Sequence, residues 1–477
     1  MDKKDYLRRL SSVNDLMQAV YRGHKLGGGI PRDLVTEASR TVLDGVREAI
    51  LAAKDELSLE EIDTDTDQLV SLVEKEVEER IQFSFRRVIN ATGVVVHTNL
   101  GRSLLSRSSL EALTTAGSSY NNLEFRLEDG SRGSRQVHVK ELLRDLTGAE
   151  SALVVNNNAA GVLLALTTHA TGKEVIVSRG QLIEIGGSFR LPDVMAQSGA
   201  RLVEVGTTNK TYLEDYRKAI TSETAMILRA HSSNYRIMGF TSEVAIKELA
   251  EMAHEYELVL LDDLGSGAYL DMTQYGLAHE PTISQSLDEG ADIVCFSGDK
   301  LLGGPQGGMV LGKAELVDAM SRHPLARALR VGKLTLAAME ATLRHYMDLE
   351  EAVAEIPTLS MLTTDPDILK KRARHLAKKI APEGSSFSAE VISETSRAGG
   401  GALPMADLPT WVVAVTSSRH KTSALEEMLR MGEPPLICRV KDDRILLDMR
   451  TVSDEELTEI VETFSAIEGA EDPDRGS

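Results

Sequence analysis

Short runs of apolar residues recur along the chain from about residue 88, and each predicts a buried strand. The runs are SALVV, EVIVS, RLVEVG, AMILRAH, LVLLDD, DIVCFSG and GGMVLG. Stretches with helical periodicity, such as AGVLLALTTHA and VAIKELAEMAHEY, lie between most of them. Because such alternation requires crossover connections, it predicts an α/β fold with a mostly parallel sheet that is buried on both faces.

The patterns on either side of this region predict three further parts. LVTEASRTVLDGVREAILAA has helical periodicity, which predicts an N-terminal helical domain at residues 1–65. The acidic stretch ELSLEEIDTDTDQLVSLVEKEVEER predicts a linker with a long exposed helix, at residues 66–90. Residues 91–335 then form the large α/β domain and residues 336–477 a small α+β domain. In the small domain LAAMEATLRHYMDLEEAV is predicted as a leading helix, TWVVAVT, LICRV and RILLDM as strands, and SDEELTEIVETF as a closing helix with a serine cap.

Composition indicates a multidomain globular protein of 477 residues, 42% hydrophobic and 26% charged. No apolar run reaches the roughly 18 residues of a membrane span, and the start MDKKDYLRRL lacks a signal peptide's apolar centre. Two cysteines, Cys295 and Cys438, make no disulfide framework, which predicts a cytoplasmic protein. Cys295 lies within an apolar run and is predicted to be a core residue. We predict no metal site and no membrane partner.

The net charge of −20 argues against indiscriminate nucleic-acid binding, because affinity for phosphate backbones comes from concentrated Lys and Arg. An RNA partner would need a local basic face. The first forty residues hold eight Lys or Arg against five Asp or Glu, but a solvated helix surface explains this excess equally well.

The segment FSGDKLLGGPQGG places Lys300 directly after a predicted strand and before a run of glycines. A surface lysine in a glycine-rich turn is one interpretation. The other is a site residue, since α/β proteins collect their chemistry at strand ends.

LVLLDDLGSG ends another strand in Asp262 and Asp263. A pyridoxal phosphate enzyme needs such an acid to protonate the ring nitrogen and a lysine to form the Schiff base. We choose Asp263 for the ring, with Asp262 as the substitute, although either acid could instead cap a turn.

A phosphate group needs backbone N–H donors at a helix start, and VVNNNAAGVLLAL offers a strand-to-helix junction. The candidates there are Asn157, Asn158, Ala159 and Ala160. Phosphate site, ring acid and lysine then follow in the chain order of the fold type I pyridoxal phosphate enzymes, which favours the site interpretation of Lys300.

Three arginines could bind a second anion. Arg327 and Arg330 in HPLARALRVGK would share a face if both were helical, where like charges cost a few tenths of a kcal/mol. An anionic partner would remove that penalty. Arg102 lies in the loop INATGVVVHTNLGRSLLS, and its guanidinium suits planar recognition of phosphate. A solvated surface is the alternative for each.

Long motifs across almost the whole chain resemble those of the bacterial L-seryl-tRNA(Sec) selenium transferases, or selenocysteine synthases. They include INATGVVVHTNLGRSLLS, SRGQLIEIGGSFRLPDVM, EVGTTNKT, LRAHSSNYRIMGF, FSGDKLLGGPQGG and HPLARALRVGKLTLAA. The resemblance implies a fold type I pyridoxal phosphate enzyme that assembles as a ring of dimers, a decamer. It implies conversion of seryl-tRNA(Sec) to selenocysteinyl-tRNA(Sec) with selenophosphate, through an aminoacrylyl-tRNA, and a tRNA-holding N-terminal domain.

By position, the resemblance implies that Lys300 is the cofactor lysine and Asp299 its catalytic neighbour. It also implies that Arg102, Arg327 and Arg330 clamp selenophosphate or the released phosphate. Two other functions are considered. One is a related pyridoxal phosphate lyase for a small amino sugar phosphate or amino acid, and such relatives generally lack the N-terminal domain. The other is a tRNA-binding scaffold with a decayed site, which the presence of Asp263, Asp299 and Lys300 disfavours.

Overall fold

The structure is a computed structural model that describes residues 3–23, 29–60, 62–185, 189–231, 235, 237–404 and 406–469. The chain forms two compact units, Met1–Arg87 and Val88–Ser477. Among the described residues, no helix combines the length and apolar character that a bilayer crossing requires.

The first unit is helical and has its own core. Its helices are α1 (Lys3–Arg9), α2 (Val13–Gly23), α3 (Arg32–Ala52), α4 (Glu56–Glu60) and α5 (Thr66–Ile81). Apolar residues at helical spacing on α5, namely Leu69, Val73 and Val77, are fully buried in a core shared with α2 and α3. The interpretation of this stretch as an exposed linker helix is therefore incomplete, because one face of α5 closes the core while the other carries its charges.

The second unit contains a seven-stranded sheet and a smaller four-stranded sheet. Its strands are β1 (Ile89–Asn90), β2 (Ser151–Val155), β3 (Glu174–Ser178), β4 (Glu184–Ile185), β5 (Phe189–Arg190), β6 (Arg201–Val205), β7 (Thr224–Ala230), β8 (Val259–Gly265), β9 (Ile293–Ser297), β10 (Gly308–Gly312), β11 (Phe387–Ser396), β12 (Leu408–Ser417), β13 (Leu436–Ile437), β14 (Arg439–Lys441) and β15 (Arg444–Asp448). The large sheet has the order β2-β10-β9-β8-β7-β3-β6, with only β10 antiparallel to its neighbours.

Every one of the seven apolar runs is a strand of this sheet, which confirms the predicted mostly parallel α/β fold. The helices of the second unit are α6 (Arg107–Ser118), α7 (Val137–Thr147), α8 (Asn158–His169), α9 (Leu191–Ser198), α10 (Leu213–Ala219), α11 (Ile246–Glu255), α12 (Ile283–Asp288), α13 (Ala314–Arg322), α14 (Pro324–Ala328), α15 (Lys333–His345), α16 (Leu349–Glu355), α17 (Pro357–Thr363), α18 (Pro366–Ile380), α19 (Thr422–Met431) and α20 (Glu456–Gly469). Two separate apolar clusters cover the two faces of the sheet, so its inner strands are buried on both sides, while the edge strand β6 is partly exposed.

The smaller sheet is antiparallel in the order β11-β12-β15-β14, and α18 and α20 share its core. The closing helix has the predicted serine cap, because the backbone N–H of Glu456 donates to Ser453 Oγ at 3.3 Å. The helix predicted at LAAMEATLRHYMDLEEAV is two helices, α15 and α16. Asp348 separates them, since its side chain accepts from the first N–H groups of α16. The predicted division at residue 335 falls within α15.

Candidate functional site

The carboxyl ends of β7, β8 and β9 meet at one edge of the large sheet and bring polar side chains together. Ala230 on β7 is in register with Asp263 on β8, which is in register with Cys295 on β9. His231 directly follows β7, and its N–H donates to the Asp263 carbonyl at 2.9 Å. Lys300 follows the end of β9. Parallel pairing therefore places residues from three distant segments at one edge.

The two adjacent acids of β8 have different partners. Asp262 is fully buried and accepts from Arg229 Nη1 at 2.7 Å, on the neighbouring strand β7. A buried arginine needs such a counter-charge, so Asp262 is committed to a structural ion pair. Asp263 is free of Arg229 and is the acid that remains for chemistry.

The carboxyl of Asp263 is buried beside an amide. Asn158 Nδ2 donates to Asp263 Oδ1 at 2.7 Å, and Asp263 is 7% exposed. Burial raises the pKa of Asp263 to about 6, against the opposing effects of the Asn158 hydrogen bond and the Lys300 charge. Asn158, which the sequence assigned to the phosphate, thus directs its side chain to the acid.

Lys300 is buried and forms no salt bridge with the residues that the structure describes. It is 7% exposed, and its carbonyl accepts from Ser103 Oγ at 2.9 Å, which fixes the backbone at this position. Burial lowers the pKa of the Lys300 amine; the charge of Asp263 opposes this shift and that of Arg102 adds to it. The ε-amino group is accordingly held toward its neutral, nucleophilic form.

Arg102 and Asp299 form an ion pair next to Lys300. Arg102 Nη1 lies 2.7 Å from Asp299 Oδ2, and Asp299 is 5% exposed. Arg102 has a φ of +63°, in the left-handed region that few non-glycine residues adopt. Its backbone N–H donates to the His97 carbonyl at 3.1 Å, which holds the turn. The structure therefore joins two of the predicted site residues directly.

The start of α8 borders a cavity of about 410 Å³. Asn157 is the N-cap, and its side chain accepts from the Ala160 N–H at 2.9 Å. Asn157, Ala159 and Ala160 line the cavity, so the helix start that was predicted to hold a phosphate faces open space. The first N–H groups of a helix have no partner within it and attract anions.

Arg327 and Arg330 lie on either side of Leu329, a further lining residue of this cavity. Arg327 is in α14, whereas Arg330 lies beyond its end and forms an antiparallel bridge with Val155 of β2. The two arginines therefore do not share one helix face, because the helix ends before Arg330. Both are exposed, and neither forms an ion pair with any residue that the structure describes.

Sequence reasoning missed a second buried pair at this edge. His231 Nε2 lies 3.3 Å from Glu280 Oε1, and Glu280 is 1% exposed. The charge of Glu280 raises the pKa of Lys300, a minor effect that opposes the larger lowering by burial. Glu280 therefore acts electrostatically on the site. His231 is the last residue of the apolar run AMILRAH, and this position at a strand end could have identified it as a candidate site residue.

Several buried polar atoms around Lys300 have no hydrogen-bond partner among the described residues. They include Asp299 Oδ1, Asn158 Oδ1 and Ser266 Oγ. Unsatisfied buried polar atoms are costly and rare in native proteins, so their clustering indicates a place for a polar ligand. A ring nitrogen, a hydroxyl and a phosphate, as in pyridoxal phosphate, fit this donor and acceptor set.

The burial of Cys295 is complete, and burial raises the pKa of its thiol. The prediction that it is a core residue is confirmed. Neither Cys295 nor Cys438 is in a disulfide. No cluster of residues that could hold a metal ion occurs in the described part of the chain.

The fold identifies the class of enzyme that this chain resembles. A solved structure of D-glucosaminate-6-phosphate ammonia-lyase has a TM-score of 0.56 and 20% identity, covering 81% of this chain and 97% of that chain. This likeness and the mostly parallel central sheet confirm the predicted fold class, that of the fold type I pyridoxal phosphate enzymes.

The particular family follows from sequence comparison. The L-seryl-tRNA selenium transferase family model matches residues 88–453. L-seryl-tRNA(Sec) selenium transferase of Clostridium botulinum (strain Okra / Type B1) is 46% identical over 469 residues, 98% of this chain and 100% of that protein. The protein of the same name from Alkaliphilus metalliredigens (strain QYMF) is 46% identical over 467 residues, with the same coverage. The chain belongs to the L-seryl-tRNA selenium transferase family, as its motifs predicted.

The burial of Asp263 predicts a pH-dependent cost to stability. A carboxyl pKa raised from 3.8 to about 6 means that the folded state binds the proton more tightly than the unfolded chain does. Ionised Asp263 therefore destabilises the cofactor-free fold as pH rises through this range. Asp263→Asn should gain about 3 kcal/mol at pH 8, and the gain should shrink as pH falls below 6.

Urea unfolding of the cofactor-free protein at several pH values measures this effect. Asp262→Asn is the matched control, because it leaves Arg229 buried without a counter-charge and should lower stability by about 3–5 kcal/mol at pH 8. If Asp263→Asn and the parent protein have equal stability at pH 8, the carboxyl is not desolvated as described.

Proposed function

We propose that this protein is an L-seryl-tRNA(Sec) selenium transferase that converts seryl-tRNA(Sec) to selenocysteinyl-tRNA(Sec), with pyridoxal phosphate as cofactor and selenophosphate as selenium donor. The observation that carries the proposal is the 46% identity over 98% of the chain to a curated transferase, joined to a buried acid and lysine at the strand ends. The reaction replaces the β-hydroxyl of serine by selenium while the amino acid stays esterified to tRNA.

The geometry supports a set of residues that would hold pyridoxal phosphate. Lys300 would carry the cofactor, Asp263 would pair with its ring nitrogen, and the start of α8 at Asn157, Ala159 and Ala160 would bind its phosphate. Asn158 keeps Asp263 in place through its 2.7 Å hydrogen bond. The bound cofactor supplies an electron sink that stabilises negative charge at the serine α-carbon. Asp262 remains with Arg229 and takes no part.

The lowered pKa of Lys300 suits it to proton transfer. A neutral amine near the α-carbon is a general base, whereas an ammonium group is not. Asp299 lies next to Lys300 in the chain, with one carboxylate oxygen on Arg102 and the other buried without a partner. That oxygen can accept a hydrogen bond from the serine hydroxyl and so orient it next to Lys300. We therefore assign Asp299 a catalytic role beside Lys300.

The three arginines are proposed to bind selenophosphate and the phosphate that it releases. Loss of a phosphoryl group leaves negative charge, which cationic side chains stabilise. Arg327 and Arg330 are exposed and without ion-pair partners among the described residues, so both guanidinium groups are available to an anion. Arg102 is held by Asp299 and would contact the anion from the Lys300 side.

The tRNA, the assembly and the cellular location are also proposals. The helical unit Met1–Arg87 has its own core and is proposed to grip the tRNA as a separate module. The proposed assembly is a ring of dimers, a decamer, and the proposed location is the cytoplasm, where charged tRNA is found. The lyase alternative is less favoured, because the likeness to the ammonia-lyase at 20% identity supports only the fold.

The function is tested by conversion of seryl-tRNA(Sec) in the presence of selenophosphate and pyridoxal phosphate. The parent protein should form selenocysteinyl-tRNA(Sec), and Lys300→Ala should lower the rate by at least about 10²-fold, the usual contribution of a general base. Borohydride reduction followed by peptide mapping should locate the cofactor on Lys300. Cofactor fixed on another lysine, or none fixed at all, would contradict the site; absence of conversion by the parent protein would contradict the function.

The arginine assignment predicts a selective defect. Arg327→Ala or Arg330→Ala should raise the selenophosphate concentration needed for half-maximal rate, while visible absorption by the bound cofactor stays unchanged. Because both arginines are exposed, the lost hydrogen bond to a charged group should cost about 1.5–3 kcal/mol, or roughly ten- to a hundredfold. Arg322→Ala, an exposed arginine of the neighbouring helix α13, is the matched control. Unchanged turnover at limiting selenophosphate would assign both residues to the solvated surface.

A further inference from the structure

Helix α18 carries the largest local excess of positive charge among the described helices. Residues 366–380 contain six Lys or Arg and one Asp, a net charge of +5, in a chain whose net charge is −20. By contrast, residues 1–87 contain 14 Lys or Arg and 18 Asp or Glu. The N-terminal unit, which is proposed to hold the tRNA, therefore has no net positive charge of its own, whereas α18 has a concentrated one that can supply further phosphate contacts.

The charges of α18 lie on one face. Five basic residues at positions i, i+3, i+4, i+7 and i+8 form what we call the α18 stripe, and all are exposed: Lys371, Arg374, His375, Lys378 and Lys379. The opposite face is buried in the core of the small sheet, through residues such as Leu369, Leu376 and Ile380. The fold thus fixes the stripe toward solvent on a rigid helix, over about 12 Å of its length.

The stripe lacks counter-charges among the described residues. None of its side chains forms an ion pair with a residue that the structure describes. The flanking basic residues of α18 do have partners: Lys370 Nζ lies 3.9 Å from the Trp411 ring centre, and Arg372 Nε lies 2.7 Å from Asp454 Oδ1. Like charges at i, i+4 destabilise a helix by a few tenths of a kcal/mol per pair. An anionic partner would remove this cost.

Other exposed helices of the same chain neutralise their arginines within the helix. The pairs are Arg47 with Asp44, Arg144 with Glu141, Arg344 with Glu340 and Arg430 with Glu426. Each pair is spaced by three or four residues, the spacing that α18 fills with further basic residues. The contrast indicates that the positive face of α18 is a binding surface and not the ordinary charged surface of this protein.

We propose that the α18 stripe binds the phosphate backbone of the tRNA substrate. The inference rests on the proposed function, which supplies the RNA. A membrane surface fits less well, because a membrane-binding helix exposes large apolar side chains beside its basic ones. Here the apolar face is buried in the domain core, and Ile368, before the stripe, is the exposed large hydrophobic residue of α18. Phosphate contacts by the stripe add affinity and orientation without reading sequence.

The test is binding of tRNA(Sec) to the full-length, cofactor-loaded protein across a salt series. The stripe variant Lys371→Gln/Arg374→Gln/Lys378→Gln should weaken binding at least about tenfold and reduce the log–log salt slope by about three, close to one per phosphate contact. The control variant Arg144→Gln/Arg344→Gln/Arg430→Gln makes the same change in net charge, from −20 to −23. It should change the dissociation constant by less than about twofold. Lys371→Arg/Arg374→Lys/Lys378→Arg should bind like the parent.

The outcomes separate this inference from the proposed function. If the parent protein binds tRNA(Sec) and the stripe variant binds equally tightly with the same salt slope, the stripe is a solvated face and the inference is wrong, while the function stands. If the parent protein binds no tRNA, the proposed function fails and the inference fails with it. Binding of the parent to anionic lipid vesicles, lost in the stripe variant while tRNA binding is kept, would also overturn it. Melting temperature and cofactor absorption confirm that each variant is folded.

Discussion

The candidate site depends on one constraint: an acid and an amine are both buried at the carboxyl ends of adjacent parallel strands. Asp263 and Lys300 are each 7% exposed, and burial moves their pKa values toward each other, up for the acid and down for the amine. In water, both groups would have their ordinary pKa values and would be charged. The sheet, covered by apolar clusters on both faces, keeps water away and so preserves an amine that can accept a proton.

The polar contacts around Asp263 and Lys300 stabilise this arrangement of a buried acid and a buried amine. The Arg229–Asp262 pair neutralises the second acid of β8, so that Asp263 does not face an uncompensated like charge. Asn158 satisfies one oxygen of Asp263, and Arg102 satisfies one oxygen of Asp299. The atoms left without partners point to the ligand that the site is built for. The ion-paired residues and the candidate site residues therefore lie close together at the same strand ends.

Much of this could be predicted from sequence, because uninterrupted apolar runs identify buried parallel strands and the residues after them define the site edge. Asp263, Lys300 and the start of α8 follow directly from that rule. Pairings between strands could not be predicted, since Arg229 meets Asp262 only through the β7–β8 register and His231 meets Glu280 only in the folded chain. The α15–α16 break was missed because the apolar period continues across Asp348, whose cap decides it. The α18 stripe was missed for a different reason: its charges look ordinary in the sequence, and only the structure shows that they form no ion pair with any described residue.

The central claim of the proposed mechanism is that Lys300, whose pKa is lowered by burial, removes the serine α-proton. Its most direct test is the loss of deuterium to solvent from seryl-tRNA(Sec) labelled at the serine α-carbon, with no selenium donor present. The parent enzyme loaded with pyridoxal phosphate should release the label, whereas Lys300→Ala loaded with the same cofactor should retain it while still binding the tRNA. Equal release of deuterium by the two proteins would show that another group is the base and would contradict the claim.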